Sequence, residues 1–175
     1  MRLLFIFLLF TCFSFSTQAQ EHAGVFPQNY FGIYKGNLQM YKAKAKESIP
    51  MEFHLGPTDT LGRYDYTIIY GEGESRQVRN YTLVEKDASK GQYVVDENNG
   101  IALNFQVIAN SMYALFEVNG SLLTTQLTFD EHTLIFEITM ASKSDAETTT
   151  SADESKIDVH SYPLKTVQRA VLQKQ

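Results

Sequence analysis

Between Gly62 and Ser142 the chain is a near-continuous run of short segments whose side chains alternate in character, each ended by residues that turn a backbone sharply. Tyr64, Tyr66, Ile68 and Tyr70 share one parity and Asp65, Thr67 and Ile69 the other. That is the period of a strand, in which successive side chains point to opposite faces, and not of a helix. The segments Tyr64–Tyr70 and Gln77–Glu85 flank the glycine-bearing loop 71–75, and the chain turns again at Asp87–Lys90. Gln92–Val95 and Ile101–Ile108 flank 96–100, whose Asn99-Gly100 pair favours the positive φ of a tight turn. Met112–Val118, Leu122–Phe129 and Leu134–Ala141 follow, joined by Asn119-Gly120 and by Asp130-Glu131-His132. No long helical pattern intervenes to carry a parallel crossover, so neighbours in sequence should pair antiparallel. About nine consecutive strands leave two raw edges unless the sheet closes, which predicts an all-β, up-and-down antiparallel barrel of about eight to ten strands. A two-sheet sandwich is the competing arrangement.

Ahead of this region, Phe31–Leu38 and its extension to Tyr41 form the first expected strand, where Gly32 and Gly36 allow a sharp bend or a close backbone approach. Lys42, Lys44 and Lys46 read as a solvated loop, and Met51–Leu55 as a second strand that Gly56-Pro57 stops. Behind it, residues 143–155 hold Ser, Thr, Ala, Asp and Glu with no large apolar side chain, and are expected to form a flexible acidic loop. Ile157, Val159 and Ser161 alternate as a last strand would. Leu164, Val167, Val171 and Leu172 then fall at helical spacing, which predicts a short C-terminal helix packed on the barrel.

Residues 1–19 carry the three-part pattern of a secretory signal: Arg2, an apolar run from Leu3 to Phe10, and small residues Thr17 and Ala19 before Gln20. The apolar run is too short for a membrane span, which needs about 20 residues. Residues 20–175 are then one domain, exported to the periplasm or secreted, with no cysteine, because Cys12 is the only one in the chain. As a lipid acceptor Cys12 would anchor the protein to a membrane, but Leu9-Phe10-Thr11 lacks the small residue expected before such a cysteine. The net charge of −5 becomes −6 once Arg2 is gone, which argues against nucleic acid as a partner, since phosphate neutralisation needs a basic face. Oligomeric state has no signature in the sequence.

No catalytic motif stands out: there is no nucleophile elbow and no histidine-acid pairing. His22, His54, His132 and His160 make no pair at metal-ligand spacing, and no cofactor is expected, although a lone His54 or His160 on a strand satisfies the minimum for a haem ligand. Arg63, Arg76 and Arg79 surround the tyrosine-rich hairpin, and a guanidinium at a barrel mouth can clamp a carboxylate or phosphate. Arg76 and Arg79 differ in parity, so at most one faces inward. Tyr64, Tyr66 and Tyr70 share one face, and Leu103, Phe105, Phe116, Leu134 and Phe136 lie on apolar parities of later segments. In a closed barrel these eight would turn toward a shared interior and form the ligand site. Buried tyrosine hydroxyls need partners, which a polar-headed apolar ligand supplies. An outer stripe of tyrosines, with Asp65, Thr67 and Ile69 inside, and a barrel filled by its own side chains are the alternatives.

The Gly32-Ile33-Tyr34-Lys35-Gly36 element followed by a meander resembles the calycin superfamily, the lipocalin-like and nitrobindin-like barrels. Lipocalins place Trp after Gly-x, where this chain has Tyr34; nitrobindin-like proteins bind haem through a histidine near the carboxyl end, where Thr166–Ala170 has none. The resemblance implies a carrier or sensor of a small hydrophobic or amphipathic molecule and not an enzyme. The alternative is a structural or protein-interaction barrel with no enclosed ligand.

Overall fold

The computed structural model describes residues 25–43 and 45–175; the expected leader, Cys12 and His22 lie outside the described residues. Twelve strands follow in chain order: β1 (Gly32–Lys42), β2 (Ala45–Pro57), β3 (Arg63–Tyr70), β4 (Gln77–Asp87), β5 (Gln92–Asp96), β6 (Ala102–Ile108), β7 (Ser111–Val118), β8 (Ser121–Phe129), β9 (Thr133–Ser142), β10 (Glu147–Thr150), β11 (Asp158–Ser161) and β12 (Leu164–Lys174). β1 to β9 run as an up-and-down antiparallel meander, and β12 inserts between β9 and β1 to close a ten-stranded barrel. The sheet is one closed surface, so the sandwich alternative is excluded. Alternation sorts the side chains as the parity argument requires: Tyr64, Tyr66 and Ile68 of β3 are buried while Asp65 is exposed. At the β7–β8 turn Asn119 and Gly120 both adopt positive φ, 47° and 76°, as a two-residue hairpin demands.

The carboxyl end differs from expectation. Residues 164–174 form a strand and not a helix, with Ala170 and Leu172 facing inward and Val171 half exposed on the other side. The apolar residues at 164, 167, 171 and 172 are of mixed parity and fit helical spacing better than strict alternation. The edges of β1 and β9 decide between them, because each presents a row of backbone groups that only an extended segment can pair. Gly36 is where this closing strand comes nearest: a Cβ there would stand 2.7 Å from the Val171 carbonyl oxygen. The alternating segment around Val159 is not a barrel strand either. β11 pairs with β10 in a separate two-stranded arm, so residues 147–150 of the expected loop are extended and paired. β2 is longer than expected because Ala45–Pro50 continue its pairing with β1; Lys46 stands on it with its ammonium 5.3 Å from the Tyr41 ring centre.

One end of the barrel is filled. The segment Val25–Phe31, with a 3-10 turn at Gln28–Tyr30, lies across it. Phe26 meets Tyr93 edge-on at 5.0 Å, and Tyr30 stacks on Phe129 at 4.9 Å between ring centres. Phe129 also touches Phe26, Tyr34 and Phe53, and Phe53, Phe129, Leu134 and Leu172 have no solvent exposure. Burying such side chains contributes about 1.5–3 kcal/mol each, so this aromatic layer is the main anchor of the fold.

Candidate functional site

At the filled end each buried tyrosine has a protein partner. Tyr34 donates to the Tyr30 carbonyl at 2.7 Å, Tyr93 to the Phe26 carbonyl at 3.1 Å, and Tyr64 to Glu85 Oε2 at 3.1 Å while accepting from Gln28 Nε2 at 3.1 Å. Burial, and then the neighbouring Tyr30, pushes Tyr34 up to about 12; burial, followed by Glu85 and Tyr64, does the same for Tyr93. These hydroxyls therefore stay protonated and hold the plug to the barrel wall.

The other end is different. Tyr66 and Tyr70 on β3 and Tyr81 on β4 project inward beside one another, with Tyr66 and Tyr81 stacked at 6.3 Å because the two residues pair across the strands. Among the described residues, no protein group bonds to their hydroxyls, and none of the three is sealed off without a partner. They face a cavity of about 130 Å³ whose walls also include Leu103, Phe105, Phe116 and Phe136. Burial first, and then the neighbouring Tyr70 and Tyr81, drives the Tyr66 hydroxyl far above its ordinary range. Burial and then Tyr81 push Tyr70 up to about 12, against the opposing pull of Arg79. Three neutral hydroxyls so placed are hydrogen-bond donors to whatever polar group enters.

Above the cavity the barrel widens into a mouth of about 520 Å³, with apolar walls from Leu38, Met40, Ile49 and Ile138 and with Arg79 at its edge. Tyr70 and Ile138 line both spaces, so mouth and cavity are neighbours. Of the two arginines of opposite parity, Arg79 is the one at the mouth. Among the described residues it has no carboxylate partner, and its guanidinium donates only to Gln77 Oε1 at 3.5 Å. The inner cavity is below the ~300–1,000 Å³ of an ordinary small-molecule pocket, whereas the mouth is within it. The two spaces together offer apolar walls, three tyrosine hydroxyls, the Arg79 guanidinium at the mouth and the Glu97 carboxylate on the cavity wall.

Six of the eight residues expected at the site, Tyr66, Tyr70, Leu103, Phe105, Phe116 and Phe136, are brought together on this cavity. Tyr64 and Leu134 also point inward, but at the filled end, away from it. The tyrosines are not an outer stripe. Sequence reasoning missed Tyr81 and underused Arg79. Both share the parity of buried Leu83, and the pairing Tyr66↔Tyr81 follows once the 71–75 loop is accepted as a hairpin. His54 lies on the outer face, bonded to Glu52 Oε2 at 2.9 Å, and His160 on the exposed arm, bonded to Thr148 Oγ1 at 2.8 Å. Among the described residues no three metal-ligating side chains converge. Compared with known proteins, the chain matches no protein family and no curated protein.

Proposed function

We propose that this protein is an exported, non-enzymatic carrier or sensor that binds a small amphipathic molecule in the open half of a calycin-like barrel. The apolar body would lie between Leu38, Met40, Ile49 and Ile138, and the anionic or oxygen-rich head would take hydrogen bonds from Tyr66, Tyr70, Tyr81 and Arg79. The observation that carries this reading is the set of three inward tyrosine hydroxyls that bond to no protein group among the described residues, whereas Tyr34, Tyr64 and Tyr93 at the filled end each have a partner. Because these hydroxyls reach the cavity and are not sealed off, a ligand head can bond to them without first breaking a protein hydrogen bond.

Native mass spectrometry of the purified chain beginning at Gln20 is the direct test, together with titration by 8-anilinonaphthalene-1-sulfonate, an aromatic anion that fluoresces when desolvated. Binding is expected, and Arg79→Ala should weaken it roughly tenfold or more, the worth of one charged hydrogen bond. No bound mass and no probe binding, or equal affinity in Arg79→Ala, would refute the reading. One observation favours the interaction-barrel alternative: Ile157, Val159 and Leu164, on and beside the β10–β11 arm, are 58%, 55% and 59% exposed. Removal of that arm separates the two, because only the interaction reading makes it necessary.

A further inference from the structure

The closed sheet is open at one seam. β6 and β7 pair only at Gln106↔Tyr113, Val107↔Met112 and Ile108↔Ser111, next to their hairpin turn, and the ladder then stops. On their other sides both strands continue: Ala102 still pairs with Asp96 of β5, and Val118 with Ser121 of β8. Val107 donates its amide to Gly91 on the β5 side, and Asn110 accepts from Phe129 on the β8 side, at 2.7 and 2.9 Å. By alternation, the backbone groups of Ala102 and Asn104 on β6 and of Leu115 and Glu117 on β7 therefore point into the gap without ladder partners.

Over this gap lies a groove of about 800 Å³, lined by Asn104, Gln106, Tyr113 and Leu115 on its outer side and reaching inward to Phe105 and Thr125. Phe105 and Thr125 are also walls of the inner cavity. Groove and cavity thus adjoin through the seam. Thr125 is buried, 7% exposed, and lines both the groove and the cavity, so the passage between them carries a hydroxyl. Carried on, the β6–β7 register would set bulky Phe105 opposite Ala114, whose small side chain leaves the ring room to swing.

Resting on the reading of the cavity as a ligand site, we propose that the β6–β7 seam is a lateral door to it, with Phe105 as the gate. Ligand and displaced water exchange through the seam past the Thr125 hydroxyl, in addition to any route through the mouth. The door exists because two strands that are neighbours in the barrel do not pair over their upper halves.

The chain beginning at Gln20 has no cysteine, which makes the test clean. The double variant Asn104→Cys/Leu115→Cys is locked across the seam as a disulfide, or with bismaleimidoethane if the Cα atoms stand beyond the ~7 Å a disulfide tolerates. Stopped-flow binding of 8-anilinonaphthalene-1-sulfonate is then compared in locked and unlocked protein. Association and dissociation rates at least tenfold slower after locking, with the equilibrium affinity kept within twofold, support the door. Phe105→Ala, without any lock, should speed both rates. Rates unchanged by the lock would overturn the seam alone, while a wild-type protein that does not bind the probe would overturn the cavity reading and the door with it.

Discussion

The two ends of this barrel are built from the same kinds of residue and behave oppositely. At one end Tyr34, Tyr64 and Tyr93 meet the segment Val25–Phe31, and every hydroxyl ends on a carbonyl or a carboxylate. At the other, Tyr66, Tyr70 and Tyr81 meet no such segment among the described residues and converge on a cavity, near a mouth where the Arg79 guanidinium bonds only to Gln77. A tyrosine is an apolar body with a polar tip, and what it does depends on where the tip lands. Where the chain itself supplies the partner, the residue stabilises. Where it does not, the tip faces the cavity and its hydroxyl is open to solvent.

The largest contrast should appear in core truncation. Phe129→Ala removes a fully buried ring in contact with four other aromatics and should cost about 3–5 kcal/mol in urea unfolding. Phe116→Ala, which enlarges a space that is already open, should cost well under half of that. Equal losses would mean that the two ends are equally packed.

Alkaline unfolding reads the buried tyrosines of both ends through protons, since Tyr70 at the open end is pushed up to about 12 as well. Tyr34 and Tyr93 are pushed up to about 12 in the folded protein from an ordinary 10.0, so at pH between those values the unfolded chain has shed protons that the folded chain keeps. Stability is therefore complete below about pH 10 and falls as pH rises toward 12. Tyrosinate absorbance should appear together with loss of structure, and Tyr34→Phe should leave a shallower decline. A separate, early titration of all ten tyrosines near 10 would contradict the buried assignments.

The smallest effect is the most discriminating. Tyr34→Phe strands the Tyr30 carbonyl and should destabilise by about 1–2 kcal/mol, whereas Tyr66→Phe removes a hydroxyl with no protein partner and should be neutral or slightly stabilising. A loss in Tyr66→Phe equal to that in Tyr34→Phe would show that its hydroxyl already has a structural role.

Much of this was legible in the order of residues. The parity of Tyr64, Tyr66 and Tyr70, and of Phe105, Phe116 and Phe136, is a local property: once a segment is extended, alternate side chains must share a face, and turn chemistry such as Asn119-Gly120 marks where each segment ends. From that follow the meander and the sets of residues that share a face; closure instead of a sandwich, and the inward instead of outward direction of the tyrosines, are decided by the tertiary structure. Other features arise only from contacts between distant parts of the chain. Residues 164–174 are a strand because the edges of β1 and β9 require one, although their apolar spacing suits a helix better. Tyr64 and Tyr66 are two positions apart on the same face, yet one is paired and the other is not, because residues 25–31 reach only the first. The β6–β7 seam also leaves no trace in either strand's own pattern. Pairing, plugging and gaps depend on which partner arrives across the fold, and a period-two pattern carries no information about that partner.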